Sequence, residues 1–271
     1  MYRIAIISDI HGNIPAFDAV IADIEQCDID KVFVAGDIVG RGPQGNAAVH
    51  RIINAGWTCV RGNHEDYLLD FIRKQVPESW FKLDIWSAAR WLAAELDNTA
   101  VQYISQLPLS ICPTPSLHIL HGTPRSNREG IGPWTEDDFC LQMFDMIDES
   151  CLVCAHTHRT HHRQLQNGQI VNSGSVGLPF NRDHRAQYAI LSRNSQHSQW
   201  HIEFRQVPYD REQLLRIYET SGFLKHGGLT AEIIRIEIHH ARPYLTPFLE
   251  WIEQHQLPPN TANLEAFLVK S

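Results

Sequence analysis

The 271 residues are 43% hydrophobic, enough to bury a full-sized core, so one large domain with or without a small appendage is the expectation. With 31 acidic against 23 basic residues the net charge is -8, which argues against an extended nucleic-acid footprint, normally a basic surface. No stretch approaches the ~18 consecutive apolar residues of a membrane span, and Met1-Tyr2-Arg3 runs straight into an apolar strand, so no signal peptide is expected.

The first strand is expected over 4–7, with Asp9 and His11 just beyond it. Asn13 then caps a helix that has Pro15 in its first turn and Phe17, Val20, Ile21 and Ile24 on one face. A second apolar run over 32–35 precedes Asp37, and a helix follows over 46–53. A third run, 57–60, leads to Asn63 and His64. The stretch 66–107 has no strand signal and predicts one or two helices, the clearer over 84–96, with Trp86, Ala89, Leu92, Ala93 and Leu96 near helical spacing. The sheet is expected to resume near Leu109.

A fourth apolar run, 117–120, ends at His121, and the Gly- and Pro-rich stretch 123–133 reads as a loop. Thr135 with Asp138 resembles a weak capping box, opening a helix that buries Phe139, Met143, Phe144 and Ile147. The fifth run, 151–155, precedes His156 and His158; its Cys151 and Cys154 read as buried free thiols, consistent with a reduced, cytoplasmic setting. Strands then follow over 169–172, 187–192 and 199–207, with Asn194-Ser195 in a turn. From Asp210 the pattern is helical, broken up by Pro243 and Pro247, and lacks polar strand-end clusters. The expected division is therefore 1–208 as the functional unit and 209–271 as an accessory helical segment packed on it.

Five apolar runs followed within a few residues by Asp, Asn or His place polar clusters at strand carboxyl ends, the edge where open α/β sheets gather ligands. The seven donors, Asp9, His11, Asp37, Asn63, His121, His156 and His158, form a borderline set suited to Mn, Fe, Zn, Co or Ni. They are too many for one four-coordinate ion. They suit two ions about 3.5–4 Å apart, the arrangement that clamps the attacking and leaving oxygens of a phosphoryl displacement. Two such dications repel by roughly 4 kcal/mol per charge pair at an effective dielectric of about 20, so a bridging anion such as a central carboxylate is needed.

Asp9-Ile10-His11, Gly36-Asp37-Ile38-Val39-Gly40, Gly62-Asn63-His64-Glu65, His121-Gly122 and His156-Thr157-His158 together resemble the five ordered motifs of the calcineurin-like metallophosphoesterases. The resemblance covers about the first 180 residues and includes the segment Asn172-Ser173-Gly174-Ser175-Val176-Gly177. It implies an α/β (α+β) fold, a four-layer α/β/β/α sandwich of two mixed sheets, with 169–207 supplying much of the second sheet. It also implies one metal on Asp9, His11, Asp37 and His158 and a second on Asp37, Asn63, His121 and His156, with Asp37 bridging. A water between the ions, its pKa lowered from about 15.7 to about 7, would be the nucleophile. His64 would then contact the phosphate or protonate the leaving group, a role suited to a pKa near neutrality.

Two departures from the family pattern are present. Ala155 stands where Gly usually precedes the last motif, and Gly40 stands before Arg41 where the similar protein Ser/Thr phosphatases carry an Asp that orients the histidine. The resemblance therefore points to the small bacterial branch, whose members act on phosphodiesters, phosphomonoesters or dinucleoside polyphosphates. The expected partner is a small phosphoester or nucleotide. Alternatives are a noncatalytic scaffold on the same fold, which binds a protein partner, and a nuclease, against which the acidic balance weighs.

Arg41 is a candidate for bidentate phosphate binding, with a salt bridge as the competing role; Asn63 is a further candidate substrate contact, and Arg61 and Arg125 rank below them. Trp134, after the loop that follows His121, is a candidate base contact or helix staple. Trp57, Phe71, Trp80, Trp86 and Trp91 read as core packing, and the eleven remaining histidines as surface or packing groups.

Overall fold

Ten strands occur among the residues described by a computed structural model of the chain, 1–194 and 199–270. They are β1 (Tyr2–Ile7), β2 (Lys31–Val34), β3 (Thr58–Cys59), β4 (Ser110–Thr114), β5 (Leu117–Leu120), β6 (Cys151–Cys154), β7 (Thr160–Leu165), β8 (Gly168–Ser173), β9 (Ala186–Arg193) and β10 (His201–Val207). One sheet has the order β10-β9-β1-β2-β3 and the other β4-β5-β6-β8-β7. Both are mixed: β1 runs parallel to β2 and antiparallel to β9, while β6 runs parallel to β5 and β8, and β7 returns antiparallel along β8.

Strand side chains alternate between faces, and that alternation builds the layers. Ile4 and Ile6 of β1 meet Leu117, Ile119, Val153 and Val171 between the two sheets. Ala5 and Ile7, pointing the other way, pack with Phe17 and Val20 of the Ile14–Ile24 helix and Ile52 of the Gly45–Ala55 helix. On the far side, Leu152, Cys154 and Ile170 lie under Cys140, Met143 and Phe144 of the Asp137–Phe144 helix. Helices, sheet, sheet and helix make the expected four-layer sandwich. Asn13 caps the first helix as its chemistry requires, its Oδ1 accepting from the Ala16 N–H at 3.1 Å.

Several expectations are corrected. Of the strands over 169–207 only β8 joins the second sheet; β9 and β10 extend the first, because β9 pairs along the whole inner length of β1 from Tyr2 to Ile6. The strand β7 carries polar residues on both faces and left no alternation to read. The expected turn at Asn194-Ser195 lies partly outside the described residues, as does His197. The stretch 66–107 holds more helix than expected: Asn63–Ile72, two 3-10 turns, Ser87–Glu95, and Asn98–Ser105 capped by Asp97. Thr135 does not cap its helix; its Oγ1 accepts from the Gly132 N–H at 3.0 Å, and Glu136 is the cap position.

The C-terminal stretch folds into helices Arg211–Thr220, Phe223–His226, Gly228–His240, Leu245–Gln254 and Thr261–Lys270. Pro247 sits in the first turn of the fourth, where its missing N–H costs nothing, so it does not break that helix. Leu229, Ile233, Phe248, Ile252, Leu264 and Phe267 form a small core of their own. The Gly228–His240 helix also packs on the Ser87–Glu95 helix.

Candidate metal centre and the cavity beside it

The five polar clusters leave the carboxyl ends of β1, β2, β3, β5 and β6, all on one edge of the sandwich. Five of the seven candidate donors have left-handed backbone: Asp9 (φ 50°), His11 (52°), Asp37 (54°), His156 (67°) and His158 (56°). Only a few per cent of non-glycine residues adopt this conformation, and it persists where surrounding structure enforces it. Here the loops enforce one another. The N–H groups of Asp9, His11 and Gly12 donate to the carbonyls of Gly36, Asp37 and Ile38, each at 3.0 Å. The buried Glu65 carboxylate accepts from the N–H groups of Asp37 (2.9 Å), Ile38 (2.7 Å), Val39 (3.1 Å) and Gly62 (2.7 Å), tying two of the loops together. A Cβ at Gly62 would lie 2.1 Å from Asp37 Oδ1, so only glycine lets the loops close.

Asp9, His11, Asp37 and His158 are buried, with their donor atoms within 4.8 Å of one another. The Nδ1 of His11 faces the Val39 carbonyl at 3.2 Å and that of His158 faces the Leu178 carbonyl at 2.5 Å, which puts both protons on Nδ1. Their Nε2 lone pairs then point at each other across 3.2 Å, and His158 Nε2 points at Asp9 Oδ1 across 3.3 Å. Asp9 Oδ1 is buried and has no hydrogen-bond partner. Lone pairs converging without a proton between them repel, and a cation among them removes the conflict. The second set lies beside the first: His121 donates through Nδ1 to the Ala35 carbonyl (2.8 Å), and its Nε2 lies 2.9 Å from Asn63 Oδ1 and 3.3 Å from Asp37 Oδ2. His156 Nδ1 is 2.9 Å from the same Asn63 oxygen.

The electrostatics report the same demand for positive charge. Burial disfavours charge on both Asp37 and His121, yet each serves as the other's counter-ion. Asp37 is held well below the usual carboxylate range and His121 is raised to about 10. Burial pushes His11 well below its ordinary value, His156 down to about 4 and His64 down to about 3. Buried beside these groups, His64 is held in its neutral form. Asp9, His11, Asp37 and His158 fit a divalent metal ion by geometry and by chemistry.

Beside the donors opens a cavity of about 590 Å³, bounded at one end by Asp37, Asn63, His64, His156 and His158. Arg41 lines it too, with left-handed backbone (φ 60°) and only 13% side-chain exposure. Its Nη1 donates to Glu237 Oε2 at 2.5 Å, and its Nε lies 3.4 Å from His64 Nε2, a long contact. Glu237 is 1% exposed and its other oxygen accepts from the N–H groups of Tyr244 (2.8 Å) and Leu245 (2.9 Å). Arg41 thus forms a salt bridge, the competing role, but a buried one that reaches His64. A Cβ at Gly40 would lie 2.4 Å from His64 Nδ1, so glycine at this position lets the ring sit close.

A sequence model of the calcineurin-like phosphoesterase superfamily domain matches residues 2–196. The chain belongs to the calcineurin-like phosphoesterase superfamily. An uncharacterized relative from Methanocaldococcus jannaschii is 28% identical over 225 residues, covering 76% of this chain and 88% of the relative. The fold is that of a metallophosphoesterase from Sphaerobacter thermophilus (TM-score 0.70, 24% identity, 88% of this chain and 99% of that one). It is equally that of a hypothetical protein from Pyrococcus horikoshii (TM-score 0.73, 19% identity, 90% and 100%).

Within this calcineurin-like fold all seven predicted donors and His64 come together at one edge. Three other candidates do not join them. Trp134 is 57% exposed with Arg159 over its ring, Arg125 lies over the Phe139 ring, and Arg61 pairs with Asp66 at 3.3 Å; none lines the cavity. Tyr67, Trp86, Arg128, Phe180 and Glu237 do face the cavity or its lining and were not singled out for it. Trp86 lies at helical spacing with core residues, and stacks on Trp80 at 3.7 Å while also lining the cavity. No sequence signal distinguishes the two roles.

Proposed function

We propose that the chain is a two-metal-dependent phosphoesterase whose chemistry is carried by the strand-end edge of residues 1–208, with 209–271 as a wall packed against it. The supporting observation is the convergence of imidazole nitrogens with carboxylate and amide oxygens in two adjacent sets that share Asp37, the first with its lone pairs unprotonated. Asp9, His11, Asp37 and His158 would hold one ion, and Asp37, Asn63, His121 and His156 the other, drawn from Mn, Fe, Zn, Ni or Co. Ions bound there would supply Lewis-acid activation of a phosphoryl oxygen and a nucleophile at neutral pH.

The chain's own residues do the rest. The carbonyls of Val39, Leu178 and Ala35 fix the rings of His11, His158 and His121, the orienting partners that metal-binding histidines require. His64 stands at the cavity wall and is neutral in the free protein. An arriving phosphate adds negative charge, which favours its imidazolium, so that it can give a proton to the departing oxygen. Arg41, held by Glu237, keeps its remaining N–H groups for the phosphate.

Full-length protein loaded with Mn²⁺, Co²⁺ or Ni²⁺ should hydrolyse activated mono- or diesters or dinucleoside polyphosphates, with two metals per chain. Protein that binds no metal and hydrolyses none of these would favour the scaffold reading.

A further inference from the structure

The cavity beside the metal donors has two ends of different chemistry. Away from the phosphate end its wall is built from Leu68, Ala89, Leu92, Ile234, Leu245 and Leu249, with Trp86 alongside. Most of these side chains stand on the helices Ser87–Glu95, Gly228–His240 and Leu245–Gln254, whose backbone groups are committed to their own ladders. The polar side chains on this part are few. The Thr230 hydroxyl donates to the Ile85 carbonyl at 2.5 Å, and Arg128 lies over the Tyr67 ring at 4.7 Å; the Thr246 hydroxyl and the Tyr67 phenol complete the set. A nucleobase carries several edge donors and acceptors, and burying them without partners costs roughly 1–3 kcal/mol each. A hydrocarbon has no such penalty and gains from every methylene buried. A volume of about 590 Å³ is within the range of small-molecule sites.

We propose that this apolar end receives the alcohol portion of the substrate, and that the alcohol is a hydrocarbon chain or ring rather than a nucleoside. The inference rests on the phosphoesterase reading, which places the phosphate at Asp37, Asn63 and His64 and so directs the ester oxygen along the cavity. The C-terminal helices, which contribute Ile234, Leu245, Thr246 and Leu249, then select the substrate while the strand-end loops hydrolyse it.

The test uses full-length protein with Mn²⁺ and n-alkyl phosphates from ethyl to octyl, whose leaving groups are alike in basicity. The kcat/KM should rise about 2- to 4-fold per methylene over the first several carbons, and octyl phosphate should exceed AMP by at least about tenfold. In Leu249→Asp, a change at a partly exposed wall position, the octyl-to-ethyl ratio should fall about tenfold or more. Calorimetry with the non-hydrolysable ethyl- and hexylphosphonates should show tighter binding of the longer chain and a negative heat-capacity change. Turnover with a flat chain-length series, or with AMP preferred, overturns the hydrocarbon site and leaves the phosphoesterase reading standing. No turnover of any ester, with hexylphosphonate bound more tightly than ethylphosphonate, overturns the catalytic reading and keeps the site. Equal binding of the two phosphonates removes the site in either case.

Discussion

The two walls of the cavity are made in opposite ways. The strand-end wall is assembled from short loops, each bearing donors within a few residues of a buried strand, with strained left-handed backbone held by cross-loop hydrogen bonds. The helical wall is assembled from side chains of ordinary helices, some between the donor motifs and some far beyond them in the chain, and it carries mostly aliphatic groups. The first wall has one chemical task with few solutions, so its residue types are constrained at each position. The second has only to offer shape and apolar surface, which many sequences can supply.

If that contrast is right, substitutions on the strand-end wall should reduce chemistry by orders of magnitude, and those on the helical wall should alter selectivity or positioning by less. Asp37→Asn removes the shared carboxylate. It is expected to lower kcat/KM by about 1000-fold or more, in line with the loss of a principal electrostatic group, and to reduce the metal content measured by plasma mass spectrometry below two per chain. His64→Ala is expected to cost about 100- to 10,000-fold on alkyl esters and much less on nitrophenyl esters, whose leaving group needs no proton. Equal losses on both would show that His64 contacts the phosphate without giving up a proton.

Glu237→Gln tests the junction between the walls, because Glu237 reaches Arg41 from the helical side. Removing one partner of a buried pair costs about 3–5 kcal/mol, so the melting temperature should fall. If the pair also positions His64 through Arg41, kcat on alkyl esters should drop about tenfold more than kcat on nitrophenyl esters. A fall in melting temperature with identical effects on both substrates would limit Glu237 to stability. The smallest effect is expected from Trp134→Ala. Its side chain is exposed and off the cavity, and a surface change of this kind stays within about 0.5 kcal/mol; kcat/KM should move less than twofold.

The donor set was legible because each of Asp9, Asp37, Asn63, His121 and His156 follows its apolar run closely, so strand position and ligand chemistry could be read together. Membership of a sheet was not, since β9 and β10 read as strands whichever sheet they join, and only their pairing with β1 decides it. Arg41 could be seen as a phosphate ligand or a salt-bridge partner, but its partner lies 196 residues away on a helix with no local mark. Trp86 and Leu92 have the spacing of core residues and are partly that. A cavity between two packed helices leaves no periodicity of its own.

Two ions held by the two donor sets, with Asp37 between them, have a direct crystallographic signature. Crystals of the full chain soaked in Mn²⁺, with data collected at the manganese absorption edge, test this arrangement most directly. Two anomalous peaks about 3.5–4 Å apart are predicted, one among Asp9, His11, Asp37 and His158 and the other among Asp37, Asn63, His121 and His156. A single peak, or none, at fully loaded Mn²⁺ would contradict it.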